Sequence, residues 1–441
     1  MKQSVVVISA ISPFPVDNGR RVFLAGLVQY LCDRLGPDDV HYGLVASPDV
    51  PTPALPCRVH RLPMPNTAEQ LGNALVQSIV RRRLSIQEAM LSSRRLSTAV
   101  ADLIAVWQPS LEFYDTARMA QHRVPFRLNT RSIVHLDDLY SVRYARMVET
   151  SDALGADFDP LGEFASNIPG FLRRLASVPA VYQPLLRWES RRMRQRETAI
   201  ARESPCTLLV NAGEVANLSH QAGVSTVRVI TPLAPIPRVT LRAPAKPAEF
   251  VFLGRLNVPH NDDAICSFIR DALPVLLQRS PGCQLRIIGN GALATLRHLA
   301  GKYPNAVVLQ GFVEDLDTIF ARATAVIAPL RFGSGVKQKV LDALARGVPV
   351  IGTEVTFEGI PVSRGSSIPS LSAAAGSDGC IVADDVRAWP EILASLADEA
   401  TNIAYSTAAA DFFRRTYSRE VVYAQYDDIF QLHHAPVGEP R

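Results

Sequence analysis

Short runs rich in β-branched residues alternate with longer helical patterns from one end of the chain to the other. No other feature restricts the fold so tightly, because such alternation is what parallel sheets with crossover helices require. In the first half the periodicity predicts strands at Val5–Ile8, Val40–Leu44, Arg58–Arg61, Leu111–Tyr114, Ser132–Leu136 and Thr207–Val210. Between them lie helical patterns such as Arg20–Leu35 and Arg94–Val106. In the second half, strands are predicted at Phe250–Leu253, Gln284–Ile288, Ala306–Leu309, Ala325–Ala328 and Pro349–Ile351, separated by helices such as Asp262–Gln278 and Lys337–Ala345.

The stretch TPLAPIPRVTLRAPAKP, Thr231 to Pro247, interrupts this pattern. It is rich in proline and aperiodic, the composition of a linker. With 441 residues, at roughly 100–200 residues per domain, two or three domains are expected, and the linker marks the boundary between two large ones. Their expected limits are 1–232 and 248–410, followed by a terminal helical pattern over 411–441 that packs back on the first domain. In such doubly wound domains ligands bind at the carboxyl ends of the strands.

Bulk properties exclude several classes. The net charge of +4 gives no general attraction to nucleic acid. The six cysteines form no C-x-x-C pair and have no histidine cluster beside them, so a zinc site is not expected. The N-terminal apolar run is ended by Pro13 and Pro15 and reads as a buried strand rather than a signal peptide. No apolar stretch reaches the roughly 18 residues a membrane span needs. A cytoplasmic location is therefore expected, with at most contact at the inner face of the cell membrane. Two segments bear on that contact: Arg81-Arg82-Arg83 and the arginine-rich Arg187 to Arg202. In the second, Glu189 and Glu197, with Glu203 just beyond, interleave with the arginines, the pattern of a solvated helix carrying intrahelical ion pairs. The segment Asp152 to Pro169 reads as a loop.

The chemistry concentrates in PLRFGSGVKQKVLDALARGVPVI, which starts where the predicted strand Ala325–Ala328 ends. Gly333, Ser334 and Gly335 form a strand-to-helix turn, where backbone N–H groups can approach an anion at a helix N-terminus. Lys337 and Lys339 fall in the predicted first helical turn, an unfavourable place for a cation unless an anion binds there. Two further strand ends add to this. Gly254 and Arg255 open the run GRLNVPHNDDA, and Gly289 and Gly291 flank Asn290 in IIGNG. Arg255 is suited to bidentate contact with a diphosphate.

These motifs, in the order GRL, N-x-D-A, IIGNG, LQGFVEDL and PLRFGSGVKQKVLDALA, resemble the retaining glycosyltransferases of family 4. The likeness is closest to the branch with a PLR-x-GGG-x-R-x-KVLEALA run, and it spans about 110 residues, Val251 to Pro361. In the first half, PFPVDNGRRVFLAGLVQYL and SIVHLDDLYSVRY resemble the family's first loop and a later strand-to-loop segment.

The resemblance implies the GT-B fold, two Rossmann-like α/β domains. It also implies transfer of a hexose from a nucleoside-diphosphate sugar to a hydroxyl acceptor, with retention of configuration. Arg255 and Lys339 would hold the donor phosphates and stabilise the leaving diphosphate. Gly254, Asn261, Gly289, Gly333, Ser334, Gly335 and Lys337 would complete the donor site. Asp342 stands where relatives place a ribose-binding Glu, and Ser334 where many place a sugar-contacting Glu. Gly19 matches the glycine loop facing the donor phosphates. Asp137 takes the place of a catalytic-side His, with Asp138 beside it on the acceptor side; His135 reads as structural. No resident cofactor and no metal are implied, as the D-x-D of metal-using transferases is missing from its usual place. The acceptor class implied is a glycan or lipid-linked glycan of bacterial surface polysaccharide. Two other readings stay open: a nucleotide-sugar epimerase, and a catalytically weak nucleotide-binding partner subunit, the latter suggested by Ser334, Asp342 and Asp137.

Overall fold

The structure, a computed structural model, describes residues 3–16, 19–124, 130–154, 179–234, 241–333, 335–363 and 378–432. Ser334 and the segment Asp152 to Pro169 beyond Leu154 lie outside the described residues. The chain divides into two compact units. One comprises Met1–Ala145, Leu185–Leu233 and Glu420–Arg441; the other comprises Arg146–Pro184 and Ala234–Arg419.

The first unit holds a seven-stranded parallel sheet: β1 (Val5–Ser9), β2 (Val40–Ala46), β3 (Arg58–Pro63), β4 (Leu111–Asp115), β5 (Arg131–Asp137), β6 (Cys206–Leu209) and β7 (Val227–Val229). Their order is β3-β2-β1-β4-β5-β6-β7. Every residue of β1 and β4 is buried; Val5 to Ile8 of β1 therefore read as an unbroken apolar run, whereas β4 carries Glu112 and Asp115, whose carboxylates accept hydrogen bonds inside the unit. The winding reverses between β1 and β4, and their carboxyl ends flank the crevice where doubly wound sheets bind ligands.

The last helix, Arg419–Phe430, closes this unit. Asp427 accepts hydrogen bonds from Arg34 Nε and Nη2, both at 2.8 Å, and from the Tyr30 hydroxyl at 2.8 Å. The Tyr30 ring stands edge-on to Tyr423 and Tyr426, each at 5.0 Å. The terminal pattern is thus two helices, Glu399–Tyr417 and Arg419–Phe430, broken at Ser418, and only the second lies in the first unit.

The second unit holds β8 (Glu249–Leu253), β9 (Gln284–Ile288), β10 (Val307–Gln310), β11 (Ala325–Ala328), β12 (Val350–Gly352) and β13 (Cys380–Val382). All pairings are parallel in the order β10-β9-β8-β11-β12-β13, the Rossmann order, with its reversal between β8 and β11. Phe250, Phe252, Ile287, Ile327, Phe268 and Trp389 are fully buried on one side of the sheet.

Three sequence expectations are corrected here. The helix expected over Asp262–Gln278 is two helices, Pro259–Asp271 and Leu273–Arg279. Pro274 has no N–H for a continuous ladder and its ring crowds the carbonyl four residues earlier, so the chain restarts with proline in a first turn. The helix after β11 begins at Gln338, with Lys337 in extended conformation at its cap.

The third correction concerns the arginine-rich helix Pro179–Glu203. Its acidic residues Glu189 and Glu197 are buried rather than paired along the helix surface. Glu189 accepts from the backbone N–H of Ile86 (2.9 Å) and of Gln87 (3.3 Å). Glu197 accepts from Ser141 N (3.1 Å) and Ser141 Oγ (2.5 Å). Both therefore satisfy free N–H groups in the first turns of other helices, which spacing within one helix cannot reveal.

Candidate functional site

In the second unit the site grows from the carboxyl ends of β8, β9 and β11. After β8 the chain turns at Gly254, whose N–H donates to Ile288 O at 3.0 Å. A side chain at Gly289 would place its Cβ 1.8 Å from the Gly254 carbonyl oxygen, and Gly289 has φ of 142°. Only glycine permits these strand ends to close on each other. The turn is then locked by Asn261, buried at the start of the helix Pro259–Asp271. Its Nδ2 donates to Arg255 O at 3.0 Å.

The opposite side of Asn261 meets the helix Gln338–Ala345, which follows β11. Lys339 Nζ donates to Asn261 Oδ1 at 2.6 Å and lies 4.5 Å from the centre of the Phe252 ring. Among the described residues no carboxylate pairs with Lys339. Burial, then the nearby Lys337, lowers its pKa to about 7. Lys337 is buried and donates to Gly335 O at 2.7 Å, within the turn itself. Gly333, with φ of 143°, and Gly335, with φ of 68°, give that turn its shape. One turn along the helix, Asp342 accepts from Gln338 Nε2 at 3.2 Å, and burial raises its pKa to about 6.

The structure therefore brings Gly254, the Arg255 backbone, Asn261, Gly289 and Lys339 into one contact chain at the reversal between β8 and β11. Gly333, Gly335 and Lys337 form the adjoining turn, and Asp342 lies on the same helix as Lys339. The Arg255 side chain is exposed. A cation, a helix N-terminus and open glycine turns at the switch point make a cradle for an anion such as a diphosphate.

The first unit has its own polar centre at the carboxyl ends of β1, β4 and β5. Asp115 ends β4, fully buried, and accepts from Ser9 Oγ (2.6 Å) and Arg20 Nη2 (3.0 Å), with His135 Nδ1 at 3.4 Å. Burial alone would raise its pKa, but Arg20, His135 and Ser9 outweigh it and hold Asp115 well below the usual carboxylate range. His135 stacks on Phe23 at 4.1 Å, a packed structural position. Gly19 begins the helix Gly19–Leu35, immediately before Arg20.

Asp137 is the last residue of β5 and has φ of 71°, next to a register shift. Burial, then Asp138, raises its pKa. Asp138 is buried and takes a charge-assisted pair from Arg143, Nη2 at 2.6 Å and Nε at 2.9 Å. Both of these bonds end on Oδ2.

Sequence reading passed over Arg20, Asp115, Thr116 and Arg118. Arg118 lines a small pocket together with Thr116, Asp138, Tyr140 and Glu197. Arg118 Nε and Thr116 Oγ1 are buried there with no hydrogen-bond partner. The signal available was a cluster of polar residues right after the predicted strand Leu111–Tyr114.

Two doubly wound parallel units of this kind are the domains of the GT-B fold found in glycosyltransferases. Residues 247–399 match the family "Glycosyl transferases group 1". The chain is similar to a phosphatidyl-myo-inositol mannosyltransferase of Mycobacterium tuberculosis, 31% identical over 151 residues, covering 31% of this chain and 38% of that protein. It is also similar to an uncharacterized 44.6 kDa protein in the cps region of Klebsiella pneumoniae, 27% identical over 124 residues, with 27% and 32% covered. The matches span less than two fifths of the length of these relatives.

Among solved structures, sucrose-phosphate synthase from Thermosynechococcus elongatus superposes with a TM-score of 0.62 at 15% identity, covering 97% of this chain and 98% of the other. Anabaena Alr3699/HepE in complex with UDP and glucose gives 0.58 at 12% identity, covering 97% and 99%. At these identities the likeness speaks for the fold.

Proposed function

We propose that the protein transfers a sugar from a nucleoside-diphosphate sugar to a hydroxyl on a glycan or lipid-linked glycan, with retention of configuration and without a resident cofactor or metal. The observation that carries this reading is Lys339. It is a half-buried cation at the switch point of the second unit, bonded to a neutral amide and flanked by Lys337. Leaving a cation in that state is costly, and a bound dianion relieves the cost.

In this reading the diphosphate rests on the Gly333–Gly335 turn and beside Lys339, with Arg255 swinging in from its exposed position. Asp342 accepts from the ribose. Glycosyl transfer develops positive charge on the sugar and negative charge on the departing diphosphate. Lysine and arginine fixed in a dry site stabilise that leaving charge. Asp137 and the Arg20–Asp115 centre serve the acceptor side. The mannosyltransferase of Mycobacterium tuberculosis and the UDP-bound Anabaena structure support a nucleotide-sugar donor and a glycosyl acceptor. The same proposal gives the protein a place in bacterial surface glycoconjugate synthesis, at the inner face of the cell membrane.

Thermal unfolding with UDP-, GDP-, ADP- and dTDP-sugars tests the donor site. A true donor at 100 times its Kd stabilises by about 2.7 kcal/mol. Protection by one nucleotide class, abolished in Lys339→Ala, is expected; no protection by any of the four overturns the proposal.

A further inference from the structure

Buried polar side chains nearly always find a hydrogen-bond partner. In the first unit, atoms that lack one gather around the carboxyl ends of β4 and β5: Arg20 Nε, Thr116 Oγ1, Arg118 Nε and His135 Nε2. The backbone there is also held in unfavourable conformations. Thr116 follows β4 with φ of 73° and ψ of 168°, a region open to glycine but not to a β-branched residue. Its N–H donates to His135 O on the neighbouring strand at 2.6 Å, which pins it there. Asp137, at the end of β5, has φ of 71°. Strain of this kind survives only where the surrounding structure imposes it, and it collects at ligand sites.

The charges at this place do not balance. Asp115 is matched by Arg20 and His135, and Asp138 by Arg143. Glu197 accepts from Ser141, and burial raises its pKa to about 7, so it brings only part of a negative charge. Arg118, in the short helix Ala117–Ala120, is the cation left over. It is half-buried, and among the described residues no carboxylate pairs with it. Burial, then Arg20, disfavours its charge more than Tyr140 and Asp115 favour it. Arg118 and the buried Thr116 line one small pocket with Tyr140, whose hydroxyl accepts from Arg20 Nη1 at 3.3 Å. Arg20 interacts with Asp137 as well as with Arg118, so the pocket adjoins the acceptor-side carboxylate.

We propose that Arg118 and Thr116 hold an oxyanion of the acceptor, a phosphate or carboxylate group carried close to the hydroxyl that receives the sugar. Arg118 donates to its oxygens through the planar guanidinium, and Thr116 adds its hydroxyl, a charge-assisted pattern that arginine suits better than lysine. The oxyanion brings the negative charge that the pocket lacks. A neutral sugar hydroxyl would satisfy Thr116 and leave Arg118 uncompensated. The inference rests on the acceptor-side reading of the first unit and gives that acceptor a chemical class.

Protection against thermal unfolding tests it. Inorganic phosphate is compared with chloride at equal ionic strength, in Lys339→Ala so that the donor cradle does not take the anion. Protection by phosphate alone, lost in Lys339→Ala/Arg118→Gln and reduced in Lys339→Ala/Thr116→Val, is expected. In wild type already protected by a nucleotide-sugar, phosphate should add further protection. Wild type against Arg118→Gln gives the same comparison if Lys339→Ala does not fold. Glucose 6-phosphate and glucuronate then separate a phosphate site from a carboxylate site, and glucose, with neither group, should not protect. Arg118→Gln should weaken binding of the preferred anionic sugar on the order of 10- to 100-fold. Its nucleotide protection should equal that of the wild type, which shows that the fold and the donor site are intact. Equal protection by phosphate and chloride, protection indifferent to Arg118→Gln, or glucose binding as well as both anionic sugars overturns the inference. So does phosphate that only competes with the nucleotide-sugar, since the donor cradle would then be its site. Absence of nucleotide protection counts against the donor site alone and leaves the Arg118 comparison standing.

Discussion

Lys339 makes donor binding a proton-linked event. In the free protein its pKa is lowered to about 7, first by burial and then by Lys337. A diphosphate beside it favours the charged form and returns the pKa toward the ordinary value of about 10.4. The sign follows directly: above pH 7 the free protein has lost a proton that the complex holds, so donor binding takes up a proton and weakens as pH rises. For free and bound values of about 7 and 10.4, the apparent Kd rises about 30-fold from pH 6 to pH 8.5. A nucleotide-sugar diphosphate has no phosphate ionisation in that range, so the titration belongs to the protein. Calorimetry at pH 8 in buffers of different ionisation enthalpy should find an uptake of about 0.9 proton per donor bound. Lys339→Arg, charged throughout, should bind with a flat profile and no uptake. A wild-type Kd constant between pH 6 and 8.5, with no proton uptake, would refute the argument that this half-buried lysine meets the diphosphate.

Other expectations follow from the same coordinates. Burial raises Glu197 to about 7 despite its hydrogen bonds from Ser141. The folded state therefore keeps a proton that the unfolded chain releases, and stability falls as pH rises from about 4.5 to about 7. Glu197→Gln keeps an acceptor for the Ser141 N–H and should gain on the wild type across that window by up to about 3 kcal/mol. Urea unfolding at pH 5 and pH 8 measures it, and equal differences at the two values contradict it. Gly289→Ala drives a methyl into the Gly254 carbonyl at a positive φ and should cost about 3 kcal/mol or more, with donor protection lost. A variant with unchanged melting temperature would show that the turn relaxes freely. Arg118→Met removes a guanidinium whose Nε is buried without a partner, and should stabilise by about 1 kcal/mol while slowing transfer. Lower stability together with unchanged transfer would rule out a substrate-facing role for this arginine.

The two-sheet α/β architecture was legible because buried parallel strands need continuous apolar runs and crossover helices need a different period. Val5–Ser9 and Ala325–Ala328 show this as clearly in sequence as in the sheet. Gly289 was visible as a glycine at a strand end, and Lys339 as a misplaced cation at a helix start. What neither showed is that Asn261, 78 residues before Lys339, would bind its ammonium and the Arg255 carbonyl together. Such contacts join strand ends that only the sheet order places side by side.

The same holds for charge. Interleaved Glu and Arg over Arg187 to Arg202 have the spacing of intrahelical pairs, yet Glu189 and Glu197 are drawn inward to N–H groups of other helices. Residue order sets period, and with it the kind of element and sheet. Which face an element turns inward, which charges lose water and how far each pKa moves depend on what packs against it, and that is decided only when distant segments meet.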